Sequence, residues 1–193
     1  MAVPSPDHKA QQRKSALARR RDYARTLAPD VRRHLEDALA ERVLPHLIGA
    51  RIVAGYHPMR DEISPYAVLD RLGEDQQAAL PWFEDRDARM LFRQAPATIV
   101  GPWNVLQPAG DAPALAPDIV LVPLVLADRA GTRIGHGKGH YDRALAHLRD
   151  GGRLVTTIGI AWEMQISDAP LVPDPWDQPL DAIATPAEWI ACR

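Results

Sequence analysis

The stretch RIGHGKGHYDR at residues 133–143 holds the side chains and spacing best suited to chemistry in this chain. Three of its glycines alternate with other residues, and glycine allows the main chain to adopt positive φ and to approach a ligand closely. A helix is predicted from about His140, and the free N–H groups at a helix start favour an anion. Lys138 stands inside the loop, where a compact ammonium suits a phosphate group. The pattern therefore predicts a phosphate-binding site.

Two common nucleotide-binding signatures do not fit this loop. The Walker pattern GxxxxGK[ST] is absent, and the dinucleotide pattern GxGxxG fails because Gly139 is followed by His-Tyr-Asp. A glycine-rich hairpin or a helix cap is the structural alternative. The enclosed lysine and the Tyr-Asp-Arg sequence after the loop favour the phosphate site over that alternative.

Carboxylates stand where they could serve a magnesium ion. Asp142 opens the predicted helix just past the glycine loop, and Mg²⁺ prefers oxygen ligands of this kind. A second ligand could come from Asp177 or Asp181, which prolines hold in the segment PDPWDQPLD at 173–181. The alternatives are that Asp142 serves only the helix dipole and that Asp177 is a turn carboxylate.

Other polar and aromatic side chains suit a ligand, and each also has a structural interpretation. Arg133 and Arg143 flank the loop and could bind phosphate or lie on the surface. Glu62 follows the first predicted strand and could accept hydrogen bonds from a polar heterocycle or stabilise a turn. Trp103, in the proline-rich segment GPWNVLQP, could stack on a planar ligand or belong to the core.

The rest of the chain predicts the elements that would position these groups. Apolar residues recur at helical spacing from about Lys9 to Ile48, with a break at APD (28–30), which indicates two helices. The run DIVLVPLVLAD at 118–128 is almost wholly apolar, as is typical of a strand buried on both faces. Further strands are expected at 50–58, 78–83, 88–94 and 153–162, and further helices at 66–72 and 140–150.

These elements predict an α/β fold. A strand, the glycine loop, a helix and another strand succeed one another, which favours a right-handed βαβ unit. We expect one three-layer α/β/α domain over residues 1–193, with a mostly parallel central sheet and helices on both faces. Residues 1–8 are expected to fray, and the helices of 9–48 to pack on the sheet. Ligands are expected at the carboxyl ends of the central strands.

The composition narrows the class of protein. Hydrophobic residues make up 46% of the chain and charged residues 25%, as in globular proteins, so a wholly disordered chain is excluded. The single cysteine excludes an internal disulfide and a thiolate-rich zinc site. No apolar run is long enough to cross a membrane, and the N-terminus has no secretion signal. We therefore expect a cytoplasmic protein without a membrane partner.

Cationic residues are distributed unevenly. Residues 1–51 hold 11 Lys and Arg against 6 Asp and Glu, a pattern that fits either a nucleic-acid arm or the solvated face of a helix. Aromatic residues for base stacking are almost absent there, which favours the helix face. Only three lysines stand beside 20 arginines, so Lys9, Lys14 and Lys138 are candidates for a role that a guanidinium would not fill.

Several of these segments together resemble one known family. The chain resembles the 5-formyltetrahydrofolate cyclo-ligases, also called 5,10-methenyltetrahydrofolate synthetases, nearly from end to end. The matching segments are the basic N-terminal helix, GYHPMRDEISP, GPWNVLQP, DIVLVPLVLADRAGTRIGHGKGHYDRAL, IGIAWEMQ and VPDPWDQPLDAIAT. The resemblance implies an ATP- and Mg²⁺-dependent enzyme that converts 5-formyltetrahydrofolate into 5,10-methenyltetrahydrofolate. It further implies attack of the formyl oxygen on ATP and a phosphorylated intermediate.

The resemblance also implies roles for particular residues. It assigns phosphate contacts to Arg133 and Lys138, which with Tyr141 are the expected catalytic residues. Mg²⁺ would lie on Asp142 and Asp177. The folate would be recognised by Glu62, with Trp103 and Tyr141 lining the pterin pocket. The residues expected to bind ATP are Lys14, Arg133, Gly135, His136, Gly137, Lys138, Gly139, His140, Tyr141 and Asp142.

The chain departs from the family pattern at two places. His140 stands where the family usually has the first of two aromatics before the aspartate. An N-terminal lysine followed four residues later by arginine usually contacts ATP. Lys14 is followed by Ala18, whereas Lys9 and Arg13 keep that spacing farther from the rest of the chain. We favour Lys14 by register.

Three function classes remain at this point. The first is the cyclo-ligase, acting as a monomer on ATP and 5-formyltetrahydrofolate. The second is a divergent relative that binds nucleotide or folate without turnover. The third is a nucleic-acid-binding protein that uses the basic N-terminal segment, which the acidic remainder of the chain disfavours.

Overall fold

Seven strands form the central sheet of this chain, whose computed structural model describes residues 6–59 and 61–192, with side chains from residue 8. The helices are α1 (Pro6–Thr26), α2 (Pro29–Val43), α3 (Tyr66–Leu69) and α4 (His140–Arg149). The strands are β1 (Ile52–Ala54), β2 (Gln77–Trp82), β3 (Leu91–Gln94), β4 (Ile99–Val100), β5 (Leu106–Gln107), β6 (Ile119–Pro123), β7 (Leu126–Asp128), β8 (Arg133–Ile134), β9 (Thr156–Ile160), β10 (Ile166–Ser167), β11 (Ala182–Ala184) and β12 (Trp189–Ala191).

The central sheet is mostly parallel. Its strand order is β12-β11-β9-β6-β1-β2-β3, and the five inner strands pair in parallel while β12 and β3 are antiparallel edges. The predicted βαβ unit is present as β6, α4 and β9, with β6 and β9 adjacent and parallel. The single α/β domain expected from the sequence is therefore confirmed.

Strand β6 shows why helices cover both faces of the sheet. Leu121 packs in a core cluster with Leu39 of α2, while Val122 packs in a second cluster with Leu145 of α4. Because adjacent strand residues point to opposite faces, an apolar strand needs a helix layer on each side. The continuous apolar sequence of β6 thus specifies the middle strand of a three-layer fold.

The predicted strand at 118–128 is divided in the structure. β6 ends at Pro123, and β7 joins a separate three-stranded sheet, β10-β7-β8. Between them the main-chain oxygen of Leu124 accepts hydrogen bonds from the side chains of Arg20 and Gln165 instead of a neighbouring strand. These side-chain contacts turn the chain out of the central sheet and towards the glycine loop.

The other predicted elements are present with shorter bounds. The strands expected at 50–58, 88–94 and 153–162 shorten to β1, β3 and β9. The two N-terminal helices are separated at residues 27–28, slightly earlier than the break expected at 28–30. The expected fraying of residues 1–8 concerns residues 1–5, which lie outside the described part of the chain, and α1 already begins at Pro6. No helix among the described residues is long and apolar enough to cross a membrane.

Candidate active site

A cavity of about 600 Å³ opens where the inner strands of the sheet end. Its walls include residues at or just past the carboxyl ends of β1, β2 and β6, namely Tyr56, His57, Pro81, Phe83, Val122 and Pro123. This is the edge at which the sequence predicts ligand binding, because parallel strands deliver their following loops to one side.

The glycine loop forms one wall of this cavity. Gly137 has φ of +85°, and a Cβ there would lie 3.1 Å from the guanidinium carbon of Arg13. Arg13 also donates from Nε to the main-chain oxygen of Gly135 at 2.7 Å. Lys138 is exposed and lines the cavity. Glycine is therefore needed at 137 both for backbone conformation and for the approach of a cation from α1.

Arg133 lies beneath the loop and is only 8% exposed. It donates to Asp142 Oδ1 and to the main-chain oxygen of Gln178. The Gln178 N–H donates to the same Asp142 oxygen at 3.1 Å. Burial lowers the pKa of Arg133 while the Asp142 carboxylate opposes that shift. In this arrangement Arg133 fastens the start of α4 to the proline-rich segment that carries Asp177.

Lys9 also lines the cavity. Lys9 of α1 places its ammonium 2.6 Å from Asp174 Oδ2 and 2.8 Å from Asp177 Oδ2. Partial burial lowers the pKa of Lys9, but the hydrogen bonds and charges of the two aspartates outweigh burial and raise it above its ordinary value. Lys9 therefore remains charged at neutral pH and joins α1 to the segment after β10.

Glu62 is a buried carboxylate at the floor of the cavity, 4% exposed. Its Oε2 accepts from the Met59 N–H at 2.8 Å, and its Oε1 lies 3.4 Å from Arg20 Nη1 and 3.4 Å from His136 Nε2. The long distances at Oε1 leave acceptor capacity for a ligand. Burial, then the charge of Glu62, raises the pKa of the nearby Tyr141 phenol, which stays a hydrogen-bond donor at neutral pH.

Three rings, those of Phe83, Trp103 and His140, pack together in the cavity wall. Trp103 is 37% exposed and packs edge-on against Phe83, with ring centroids 4.8 Å apart, and its indole lies 5.0 Å from the His140 ring. Trp103 also holds a φ of +61°, an uncommon conformation for a bulky residue. A half-exposed indole in a cavity wall, in a backbone conformation that tertiary contacts must maintain, is suited to contact a planar ligand.

The sequence model of 5-formyltetrahydrofolate cyclo-ligases matches residues 6–186. The chain belongs to the 5-formyltetrahydrofolate cyclo-ligase family. Two curated relatives carry that name. The protein from Mycolicibacterium smegmatis is 29% identical over 170 residues, covering 80% of this chain and 83% of the relative. The protein from Escherichia coli K12 is 25% identical over 183 residues, covering 88% of this chain and 99% of the relative.

Solved structures agree with this assignment. The 5,10-methenyltetrahydrofolate synthetase from Aquifex aeolicus superposes with a TM-score of 0.78 and 26% identity, covering 96% of this chain and 93% of that one. A synthetase from Mycoplasma pneumoniae has the same fold, with a TM-score of 0.69 and 24% identity over 92% of this chain and 98% of that one. The resemblance inferred from the sequence is thereby confirmed, and the chain is an enzyme of the cyclo-ligase family.

The cyclo-ligase structure does not bring Lys14 to the cavity. Lys14 is absent from the cavity wall, whereas Lys9 and Arg13 line it. The helix explains the difference, because Lys9, Arg13 and Arg20 fall near i, i+4 and i+11 and share one inward face. Lys14 lies about 100° around the helix from Arg13. The predicted cation of α1 is therefore corrected from Lys14 to Lys9 and Arg13.

The two carboxylates predicted to hold Mg²⁺ in this cyclo-ligase each form an ion pair with a basic side chain of the protein. Asp142 pairs with Arg133 and Asp177 with Lys9, and the described residues contain no cluster of three metal-ligating side chains. Asp142 Oδ2 and Asp177 Oδ1 accept no hydrogen bond from any described residue. One oxygen of each aspartate thus stays available. This donor set fits Mg²⁺, which usually takes one or two carboxylates together with substrate phosphates.

The structure adds site residues that the sequence interpretation left out. Tyr56 and Asp174 line the cavity of this cyclo-ligase, and Arg20 lies behind it against Glu62. A signal for Arg20 was present, since it lies on the same helical face as Ala16 in α1 and is 1% exposed. A cation at a position patterned as buried indicates a buried anionic partner.

The pKa of His140 is expected to lie below the ordinary value of a histidine. Burial, then the charges of Arg143 and Lys138, lower its pKa below the ordinary 6.5, and Arg143 Nη2 lies 3.1 Å from His140 Nδ1. An NMR titration should give a His140 midpoint below 6.5. Arg143→Gln should move that midpoint upwards because it removes one positive charge. An unchanged midpoint in that variant would contradict the assigned cause.

Proposed function

We propose that this chain converts 5-formyltetrahydrofolate into 5,10-methenyltetrahydrofolate at the expense of ATP, releasing ADP and phosphate. The observation that carries the proposal is that one cavity is lined both by the glycine loop with Lys138 and by the buried carboxylate of Glu62. The loop suits a polyphosphate and the carboxylate suits the N–H groups of a pterin. A reaction between these two ligands requires such a shared cavity.

The proposed reaction proceeds in two steps. The formyl oxygen attacks the γ-phosphorus of ATP, the bond to the bridging oxygen breaks and ADP leaves. N10 then attacks the activated formyl carbon, the carbon–oxygen bond breaks and phosphate leaves as the N10 proton is lost. Neither step needs a nucleophile from the protein. The enzyme contributes positioning and charge neutralisation, as in other phosphoryl transfers.

The ATP side of the proposed site consists of cations and main-chain groups. Lys138 is exposed at the loop and free to contact the transferred phosphoryl group, while Lys9 and Arg13 approach from α1. Arg133 lies beneath the loop in an ion pair with Asp142 and adds positive charge on the phosphate side of the site. The remaining loop residues, Gly135, His136, Gly137, Gly139 and His140, shape the pocket for the nucleotide.

Mg²⁺ would be held by Asp142 and Asp177 in this proposal. When bound, the ion would neutralise charge on the phosphates of ATP. The chain's own contribution is to present a free oxygen of Asp142 from α4, which Gln178 contacts, and a free oxygen of Asp177 from the loop that Lys9 holds. The prolines around Asp177 keep that segment stiff.

The folate side of the proposed site consists of Glu62 and aromatic rings. Glu62 would accept hydrogen bonds from the pterin, and Tyr141 would donate one from its protonated phenol. Trp103 would contact the planar ring system from the cavity wall. We further propose that the enzyme is a cytoplasmic monomer without nucleic-acid or membrane partners.

The direct test is a spectrophotometric assay for 5,10-methenyltetrahydrofolate. The protein, 5-formyltetrahydrofolate and Mg²⁺-ATP are expected to produce its absorbance at near-neutral pH, and omission of ATP is expected to abolish the signal. Absence of a signal with all components would contradict the proposal. Tight calorimetric binding of ATP without turnover would instead identify a divergent relative that binds its ligands without catalysis.

A further inference from the structure

Arg20 is the most deeply buried cation that the structure describes at this site. It lies in the last third of α1 and is 1% exposed, among the largest fully buried side chains of the described residues. Burying a guanidinium is unfavourable unless charges and hydrogen bonds compensate for the lost water. The partners of Arg20 therefore indicate what the charge does.

The Arg20 guanidinium connects two carboxylates and a main-chain oxygen. Its Nε donates to Asp61 Oδ2 at 2.9 Å, and its Nη1 donates to the Leu124 carbonyl at 3.0 Å. The same Nη1 lies 3.4 Å from Glu62 Oε1. The bonds to Asp61 and Leu124 thus fix the guanidinium, and they hold its charged Nη1 beside the Glu62 carboxylate.

The Glu62 carboxylate has few described partners, and Arg20 is the one that brings a permanent positive charge. Its side chain is 4% exposed, and its described side-chain contacts besides Arg20 are the Met59 N–H and the imidazole of His136. Tyr56 is a buried neighbour whose pKa is raised well above its ordinary value by burial first and then by the charge of Glu62. Arg20 is the one permanently charged cation that the structure describes against this carboxylate.

We propose that Arg20 is a positioning residue for folate recognition, which holds the Glu62 carboxylate in place and directed into the cavity. This inference rests on the proposed function, because it assigns Glu62 to the folate. Arg20 does not line the cavity itself and acts only through Glu62. A purely structural role, joining α1 to residues 61–62 and 124, is the competing explanation.

A double-mutant cycle separates the two explanations. Arg20→Met is expected to raise KM for 5-formyltetrahydrofolate at least about tenfold and to change KM for ATP less than about twofold. In the Glu62→Gln background the same substitution is expected to change folate KM less than about twofold, because no carboxylate remains to be held. Equal effects of Arg20→Met in both backgrounds, or equal effects on both substrates, would overturn the proposal.

Two further variants complete the experiment: one replaces Arg20→Met if that variant does not fold, and the other is a control outside the cavity. Arg20→Lys retains the charge and is expected to recover part of the folate affinity. If Arg20→Met does not fold, the cycle is run with Arg20→Lys. Equal effects of Arg20→Lys in both backgrounds, or on both substrates, would again overturn the proposal. Arg42→Met removes a helix arginine that donates to the Pro186 oxygen outside the cavity, and it is expected to leave both KM values unchanged.

Failure of the proposed function gives a different result. If the wild-type protein does not turn over, the cycle is measured as calorimetric affinity for 5-formyltetrahydrofolate. A loss of affinity on Arg20→Met that disappears in the Glu62→Gln background would support the positioning role without catalysis. Absence of folate binding by the wild-type protein would overturn it.

Discussion

Replacing Lys138 with alanine is expected to lower kcat by about 10²–10³-fold and to leave Tm unchanged. The ammonium lines the cavity, and none of its atoms beyond the main chain makes a hydrogen bond or ion pair with a described residue. Its removal therefore takes little from the folded state. The loss falls on the transition state, in which negative charge develops on the phosphoryl oxygens that Lys138 would contact.

The measurement compares kcat and Tm of three proteins. Lys138→Ala is set against the wild type and against Arg86→Ala, which removes an exposed cation from a loop that does not line the cavity. Arg86→Ala is expected to retain wild-type kcat, so a general effect of net charge is excluded. Wild-type kcat in a folded Lys138→Ala would remove this lysine from the proposed mechanism.

Gly131→Ala is expected to have the largest effect on stability, lowering the free energy of unfolding by about 2–4 kcal/mol. Gly131 lies in the turn between β7 and β8 with φ of +91°, which alanine adopts only with strain. A Cβ there would stand 2.5 Å from the main-chain oxygen of Leu180, and backbone cannot move aside as a flexible side chain can. The clash adds to the strain.

Gly151→Ala is the matched control for this substitution. Gly151 has a similar φ of +77°, but a Cβ there would have no atom within 4 Å. Backbone strain alone should therefore lower the free energy of unfolding of Gly151→Ala, by roughly 1 kcal/mol. Tm should fall by roughly 5–15 °C for Gly131→Ala and by only a few degrees for Gly151→Ala. Equal shifts would mean that the contact with Leu180 is relieved at no cost.

The turn at Gly131 also bears on the active site, because it leads directly into β8. This strand begins two residues later at Arg133, whose guanidinium fastens Asp142 and Gln178. A displaced turn would shift this arginine and with it the start of α4. We therefore expect weaker ATP binding in Gly131→Ala even at temperatures where the protein remains folded.

Several features of the fold could be predicted from local sequence. The apolar run of β6 specified a strand buried on both faces, and the glycine loop specified a turn at the start of α4. Both are properties of a few consecutive residues and of the backbone conformations open to them. The division of residues 118–128 into two strands could not be predicted in this way, because side chains distant in sequence donate to the Leu124 oxygen where β6 ends.

The amino-acid sequence by itself determined the layer order, the position of the glycine loop and the family of this chain. Only the tertiary structure decided which cation of α1 reaches the cavity and which carboxylate each cation meets. Lys9 lies 165 residues from Asp174, and Arg20 lies 42 residues from Glu62. The physical reason is that local patterns set backbone conformation and burial, whereas charge pairing depends on helix phase and on where distant segments pack.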